Sequence, residues 1–207
     1  MDNFLTIDDF SREEVETLLD LAANLKREYF EDSNQPLLRG KTLAMIIQKP
    51  SLSTRVSFEM AVTHLGGDAL YLSPQEIALG KRESVSDVAR VLSGYVDGIM
   101  ARVFAHEHVL ELAEHASVPV INGLSDYNHP CQALADIFTI MELRPQLQGL
   151  KMAFIGDGNN VATSLLLICA RLGMHFTIAA PEGYELDVAV TARGRELAAE
   201  SGADIQQ

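Results

Sequence analysis

The strongest constraint in the sequence is an alternation of short apolar runs with longer amphipathic stretches. Thr42–Gln48 (TLAMIIQ) is a continuous apolar run, as is typical of parallel strands that are buried on both faces. It is followed by Ser53–Leu65, which favours a helix that ends at Gly66 and Gly67. The alternation continues through the sequence without an internal repeat. Strands that alternate with helices predict an α/β fold with a parallel sheet and helices on both faces.

The remaining elements follow from capping signals and apolar periodicity. Ser11 and Glu14 form an S-x-x-E capping box at the start of a first helix, which is expected to end before Pro36. Further strands are predicted at Gly98–Val103, Val118–Asn122, Lys151–Ile155, His175–Ala180 and from Ala203 onward. Further helices are predicted at Ser84–Leu92, Glu107–Ala116, Pro130–Leu143, Val161–Leu172 and Val188–Ser201. The polar run Gln146–Gly149 predicts a boundary between domains 1–149 and 150–207.

Charge and cysteine content restrict the classes of function. The 207 residues include 16 Lys and Arg against 29 Asp and Glu, a formal charge of −13 that repels nucleic acids and anionic membranes at long range. We therefore expect neither partner, and an anionic ligand needs a local cluster of donors. An acidic N-terminus and the lack of a long apolar run predict a cytosolic protein. Cys131 and Cys169 lack metal-site spacing, so we expect thiols and no metal.

A first candidate site is Lys49-Pro50-Ser51-Leu52-Ser53-Thr54-Arg55, which joins a predicted strand to a predicted helix. Ligands of open α/β sheets bind beyond the carboxyl ends of the strands. A helix N-terminus there offers N–H groups, and the three hydroxyl groups of this segment are donors suited to phosphate oxygens. The alternative is an ordinary N-cap in a basic loop, and the spacing alone favours that alternative.

Two further candidates are the segment Asn122–Gln132 (NGLSDYNHPCQ) and Arg102. His129 precedes a proline at a predicted helix start, which places it close to the sheet edge with Gln132 on the following turn. The alternative is a solvated loop histidine. Arg102 lies near the end of the apolar strand GIMARV, where an unpaired guanidinium is costly to bury. It needs an anion or a polar partner, and a structural salt bridge is the commoner case for such an arginine taken singly.

The segment Gly156-Asp157-Gly158-Asn159-Asn160 is similar to the start of a dinucleotide-binding fingerprint. Val161 stands where the third glycine belongs, and Pro181 follows the next strand where an acid is needed. We therefore expect no nicotinamide cofactor, and the alternative for this segment is a tight turn.

Together these segments resemble the aspartate/ornithine carbamoyltransferase family, and the resemblance covers the N-terminal two-thirds of its ornithine branch. Lys49–Glu59 (KPSLSTRVSFE) is similar to the carbamoyl-phosphate motif S-x-R-T-R, and His129–Gln132 (HPCQ) to the motif H-P-x-Q. The similarity continues through GKRESVSDVARVLSGYVDGIMAR, NGLSDYNHPCQALAD and IGDGNN. Gly156–Asn160 and Ala180–Tyr184 favour the ornithine branch over the aspartate branch.

The resemblance implies that an amine attacks the carbamoyl carbon of carbamoyl phosphate and that phosphate leaves, without metal, cofactor or covalent enzyme intermediate. With ornithine the product is citrulline, as in arginine biosynthesis and the urea cycle. Catalysis is then positioning and charge stabilisation, with Arg102, His129 and Thr54 polarising the carbonyl oxygen. The residues implied to bind substrates are Ser51, Leu52, Ser53, Thr54, Arg102, His129, Pro130, Cys131, Gln132 and Asn160.

Individual roles within this set also follow from the resemblance. Ser51 and Thr54 are implied to hold the phosphate with the helix N-terminus, Gln132 to bind the carbamoyl amide, and Asn160 to hold the amino-acid end of ornithine. Residues 1–149 then form a carbamoyl-phosphate-binding domain, and 150–207 part of an amino-acid-binding domain. Both branches are built on trimers, so a homotrimer is expected, and Lys81 and Arg82 lie in the loop that reaches a neighbouring subunit in the aspartate branch.

The sequence departs from the family pattern in ways that leave other functions open. Ser53 occupies the position of the first motif arginine, and Ala78 that of a glutamine in many members. The later segments that supply most of the ornithine site, including a His-Cys-Leu-Pro motif, are not found. The alternatives are a carbamoyltransferase for another amine and a non-catalytic anion-binding or assembly subunit.

Overall fold

The computed structural model of the protein describes residues 3–77, 79–80 and 82–207, so Ala78 and Lys81 lie outside the described residues. The chain forms two compact units. Unit 1 comprises the described residues up to Leu5 together with Asn24–Asp126, and unit 2 comprises Thr6–Ala23 and Tyr127–Gln207. The division into domains at Gly149 stays a prediction.

Unit 1 is built on a four-stranded parallel sheet. Its strands are β1 (Thr42–Ile47), β2 (Asp68–Leu72), β3 (Gly98–Arg102) and β4 (Val120–Leu124), in the order β2-β1-β3-β4. Phe4 extends the sheet at β4, because its N–H donates to the carbonyl of Val120 and its carbonyl accepts from Asn122 N, both at 2.8 Å. The predicted strands β1 and β3 are confirmed, β4 lies two residues later than predicted, and β2 was not predicted.

Helices cover both faces of this sheet. The helices of unit 1 are α2 (Leu52–His64), α3 (Pro74–Ile77), α4 (Val85–Ser93) and α5 (His106–His115), together with the second half of α1 (Arg12–Phe30). Side chains alternate along the strands: Ala44 and Ile46 pack in one apolar cluster with residues of α4 and α5, whereas Met45 and Ile47 pack in another that includes Phe58 of α2. The predicted α/β fold with helices on both faces is therefore confirmed.

Unit 2 contains a second parallel sheet with strand order β5-β6-β7, formed by Lys151–Ile155, His175–Ala179 and Ile205–Gln206. Its helices are α6 (Pro130–Leu143), α7 (Asn160–Leu172), α8 (Val188–Ser201) and the first half of α1. Helix α7 is the core of the unit, since nearly every residue from Ala162 to Leu172 is buried. The predicted bounds of α6, β5 and α8 agree with the structure.

The N-terminal segment is fixed within unit 2 by capping and by ion pairs. The predicted capping box is confirmed, because Glu14 N–H donates to Ser11 Oγ at 3.2 Å and Ser11 N–H donates to Glu14 Oε2 at 2.8 Å. A short 3-10 turn at Ile7–Asp9 precedes it. There the Asp8 carboxylate accepts from Arg171 of α7 at 3.3 Å and from Arg193 of α8 at 2.9 Å.

No helix in the described part of the chain has both the length and the apolar character needed to cross a membrane.

Candidate active site

The pairing of β1 with β3 brings the first candidate segment next to Arg102. Ile47, the last residue of β1, is in register with Arg102, the last residue of β3. The next residue, Gln48, donates its N–H to the carbonyl of Arg102 at 2.8 Å. Both chain segments leave the sheet at its carboxyl edge, where ligands of open α/β sheets bind. The structure therefore brings together two candidates that are more than forty positions apart in the sequence.

The hydroxyl groups of the motif lie at the N-terminus of α2. Ser51 is the N-cap residue in an extended conformation, and its Oγ accepts from Thr54 N–H at 3.3 Å. The hydroxyls of Ser51 and Ser53 are 3.3 Å apart, and Ser53 is exposed whereas Thr54 is buried. Ser51 is therefore an ordinary N-cap, as the alternative explanation of this segment expects. The same geometry also places the hydroxyl groups of the segment beside the unpaired N–H groups of the helix N-terminus.

Arg102 has only neutral partners among the described residues. Its Nε donates to the carbonyl of Lys49 at 3.0 Å, and its Nη1 donates to Thr54 Oγ1 at 3.2 Å. Burial lowers the pKa of Arg102 from its usual value, yet an arginine keeps its charge in proteins. The structural salt bridge considered for this residue is not formed with any described carboxylate. A partly buried cation beside hydroxyls and a helix N-terminus is suited to an anion or a polarised carbonyl oxygen.

In unit 2, the H-P-x-Q motif starts helix α6. His129 occupies the N-cap position, Pro130 the first helical position, and the His129 N–H donates to Ser164 Oγ at 2.8 Å. Gln132 is exposed, and its amide donates to Asp136 on the same helix at 2.9 Å. The predicted placement of the histidine at a helix start is thus confirmed, and its backbone is anchored by a contact that the motif does not reveal.

Asn160 begins α7, directly after a turn that is closely packed. Asn159 caps the helix, its Oδ1 accepting from Val161 N at 3.0 Å and from Ala162 N at 3.1 Å. Gly158 lies where a β-carbon would collide with the backbone of Glu185 and Leu186, so only glycine fits. Gly158 is therefore required by close packing against the neighbouring backbone.

Ser164 joins the starts of these two helices and was missed by sequence reasoning. Its side chain is 1% exposed, accepts from the N–H of His129, and donates to the carbonyl of Asn160 at 3.1 Å. A serine inside an apolar helix is a weak signal, because its hydroxyl commonly bonds the carbonyl four residues earlier. The second bond, to His129, depends on tertiary structure.

We expect Ser164→Ala to destabilise the protein by about 1–3 kcal/mol, because a buried backbone N–H loses its acceptor. Thermal unfolding measures this as a fall in Tm. Ser57→Ala, which removes an exposed hydroxyl on α2, is the matched control and should leave Tm nearly unchanged. Equal Tm values for Ser164→Ala and the unmodified chain would contradict the anchoring role.

The two cysteines are thiols, and neither is activated as a nucleophile. Removal from water raises the pKa of Cys131 and of Cys169 to about 12, so both are protonated at neutral pH. Cys131 follows Pro130 in α6, and its protonated thiol carries no charge that could act on a ligand.

Comparison with known proteins agrees with these motifs. Residues 2–142 match the family described as aspartate/ornithine carbamoyltransferase, carbamoyl-P binding domain, and residues 148–207 match its Asp/Orn binding domain. The ornithine carbamoyltransferase of Anoxybacillus flavithermus is 54% identical over 203 residues, and that of Thermococcus kodakarensis 53% over 202 residues. These alignments cover 98% of this chain in each case but only 65% and 64% of the relatives, so the chain spans less than two-thirds of their length.

A solved structure, the ornithine carbamoyltransferase from Pyrococcus furiosus, superposes with a TM-score of 0.97 at 51% sequence identity. The superposition covers 99% of this chain and 66% of that one. Sequence and fold therefore lead to the same conclusion, which confirms the predicted resemblance. The chain belongs to the aspartate/ornithine carbamoyltransferase family.

Proposed function

We propose that this chain takes part in transfer of the carbamoyl group from carbamoyl phosphate to the side-chain amine of ornithine, giving citrulline and phosphate. The observation that supports it most is the guanidinium of Arg102, held between the Lys49 carbonyl and the Thr54 hydroxyl beside the N-terminus of α2. A cation without a carboxylate partner among the described residues is suited to an anionic substrate and to a carbonyl oxygen that gains negative charge in the transition state.

In this reaction the amine lone pair forms a bond to the carbamoyl carbon, and the bond from that carbon to the phosphate oxygen breaks with its electron pair going to the phosphate. The proton that the amine loses passes to the departing phosphate. We assign the phosphate to Ser51, to Thr54 and to the helix N-terminus, which stabilise the negative charge that grows on the leaving group. Arg102 and Thr54 are assigned to the carbonyl oxygen as it becomes an oxyanion. Leu52 and Ser53, in the first turn of α2, contribute backbone N–H groups.

The residues of unit 2 complete the assignment by resemblance to the family. His129 is assigned to the carbonyl oxygen, Gln132 to the carbamoyl amide and Asn160 to the amino-acid end of ornithine. Gln132 is exposed and has only Asp136 as a side-chain partner among the described residues, so its amide can exchange this bond for one to a ligand. Pro130 and Cys131 are assigned to the substrate-binding set through their position in the motif.

A second candidate function is favoured by one residue. Ser53 replaces the arginine that would give a bidentate, charge-assisted contact to phosphate, so anion binding without efficient turnover is the competing proposal. A carbamoyltransferase for another amine is tested alongside it by offering other amino acids as acceptors. Calorimetry with carbamoyl phosphate and a citrulline assay separate these proposals, since only the enzyme proposals require product.

We expect Arg102→Ala to weaken binding of carbamoyl phosphate about 10- to 150-fold, because hydrogen bonds to charged groups contribute about 1.5–3 kcal/mol. Isothermal titration calorimetry with carbamoyl phosphate and with inorganic phosphate measures this. Arg144→Ala, which removes an exposed arginine at the end of α6, is the charge-matched control and should bind as the unmodified chain does. Equal dissociation constants for Arg102→Ala and the unmodified chain would remove Arg102 from the site.

A homotrimer in the cytosol, and a place in arginine biosynthesis, belong to the same proposal. They are supported by the family resemblance, and sedimentation velocity of the purified chain tests the trimer.

A further inference from the structure

We propose that Lys49 supplies the second positive charge of the carbamoyl-phosphate site, in place of the motif arginine that Ser53 replaces. This inference rests on the proposed function, because it adds a binding residue to the same site. It is specific to this chain, since the need for another cation arises from Ser53.

The other arginine of the motif is already engaged elsewhere. Arg55 Nε lies 3.5 Å from Glu59 Oε2, and its guanidinium carbon lies 4.1 Å from the centroid of the Tyr71 ring. Ser53 and Ser51 are neutral, and the first turn of α2 contains no acid. The charge of Arg55 is therefore partly neutralised. Lys49 of the same segment and Arg102 of β3 are then the described cations available to a phosphate that carries up to two negative charges.

Lys49 is joined to Arg102 through its backbone. The Lys49 carbonyl accepts from Arg102 Nε at 3.0 Å, and the Lys49 N–H donates weakly to the Arg102 carbonyl at 3.4 Å. Pro50 and the N-cap Ser51 follow directly, so only the proline separates Lys49 from the N-cap of α2. The backbone of Lys49 is consequently held next to Arg102, two residues before the N-cap of α2.

The ammonium group of Lys49 is held without being neutralised. Its Nζ lies 5.6 Å from the centroid of the Phe104 ring, which follows β3 two residues after Arg102. Such a cation–π contact favours the position of the charge over the ring and leaves its N–H donors available. No described carboxylate forms an ion pair with Lys49. An ammonium group that is held in position but has no carboxylate partner is able to bind an anionic ligand.

Lys41 shows the contrasting arrangement and provides a matched control. It precedes the opposite end of β1, roughly 25 Å away along an extended chain of eight residues. Its Nζ is paired with Asp97 Oδ1 at 2.8 Å. A substitution at Lys41 therefore changes the net charge of the protein by the same amount without removing an available cation from the carboxyl edge.

The test is calorimetric titration of the full chain with inorganic phosphate and with carbamoyl phosphate. Lys49→Gln should weaken binding of both ligands about tenfold or more, Lys49→Arg should stay close to the unmodified chain, and Lys41→Gln should bind as the unmodified chain does. In a Ser53→Arg background the loss caused by Lys49→Gln should become smaller, because the restored guanidinium takes over the same charge. This non-additivity is the signature of a shared role.

The outcomes separate the inference from the proposed function. Binding by the unmodified chain together with unchanged binding by Lys49→Gln would overturn the inference and leave the proposed function standing. Equal losses for Lys49→Gln and Lys41→Gln would also overturn it, because net charge alone would explain them. If neither ligand binds the unmodified chain, the proposed function and the inference both fail.

Discussion

Incubated with ornithine and carbamoyl phosphate, residues 1–207 tested alone are expected to form little or no citrulline. The family resemblance assigns most of the ornithine contacts to segments beyond the matched region, and the chain covers only 65% and 64% of two curated relatives. Positioning of a second reactant can contribute about 7–11 kcal/mol of barrier lowering, so its loss is large in the rate. This is the largest effect that we predict.

Ser53 adds an independent cost to the same reaction. The leaving phosphate gains negative charge in the transition state, and a serine hydroxyl offers one neutral donor where an arginine offers a charged fork. Loss of a single transition-state donor costs about 2.7–4 kcal/mol in well-studied sites, and each 1.36 kcal/mol is tenfold in rate. Independent losses multiply in the rate, so the two defects together lower turnover far more than either does alone.

A steady-state citrulline assay measures this, with the Anoxybacillus flavithermus relative as a positive control prepared in the same way. Turnover in the usual enzyme range of roughly 1 to 10³ per second would contradict the prediction. It would mean that residues other than Asn160 hold most of the ornithine, and other amines offered as acceptors would then show how selective that site is.

The second large effect is a gain of function: Ser53→Arg should strengthen carbamoyl phosphate binding. A charge-assisted contact of about 1.5–3 kcal/mol corresponds to roughly 10- to 150-fold in affinity. Ser53 is exposed in the first turn of α2, so a long side chain can be accommodated there, and only its contact with Ser51 at 3.3 Å is lost. The cation would stand at a helix N-terminus, which costs a few tenths of a kcal/mol in the unliganded protein.

Calorimetry compares this variant with the unmodified chain and with Thr63→Arg. Thr63 is an exposed residue in the last turn of the same helix, so this control adds the same charge far from the site. The gain is expected in addition to the single charge that Lys49 supplies, so equal dissociation constants for Ser53→Arg and the unmodified chain would contradict this prediction and show that Lys49 and Arg102 already satisfy the phosphate. A gain shared by Thr63→Arg would show that long-range attraction alone is responsible.

Most of unit 1 could be predicted from local signals, and β2 shows where such signals fail. Asp68–Leu72 has no fully buried residue and forms the edge of the sheet, so it lacks the continuous apolar run that identified β1. The shift in β4 has a different cause. The strand was predicted to end at Asn122, before Gly123. The Asn122 N–H instead donates to the Phe4 carbonyl and the Asn122 side-chain amide donates to the Leu5 carbonyl at 2.9 Å, which keeps the chain extended.

The contacts of the candidate site also differ in how far the sequence predicts them. The resemblance to the family predicted that Arg102 and Thr54 belong to one site. Their hydrogen bond depends on β1 and β3 being neighbours, which local sequence signals do not reveal. The anchoring of His129 by Ser164 could not be predicted, because it depends on how α6 and α7 pack within unit 2. The ion pair of Arg55 with Glu59 could not be predicted with certainty either, because a spacing of four residues on a helix permits such a pair but does not require it.

The ion pairs of Asp8 have a consequence for how the protein is made. Thr6–Ala23 belongs to unit 2, but its partners Arg171 and Arg193 follow Asp8 by 163 and 185 residues. At roughly 5–20 residues per second, a ribosome takes about 10 to 40 s to produce the last of them. During that interval unit 1 can fold, whereas the first half of α1 has not yet packed against its partners and Val15 and Leu19 are still exposed. Folding on the ribosome is therefore expected to pass through a species in which an early amphipathic helix is exposed to chaperones.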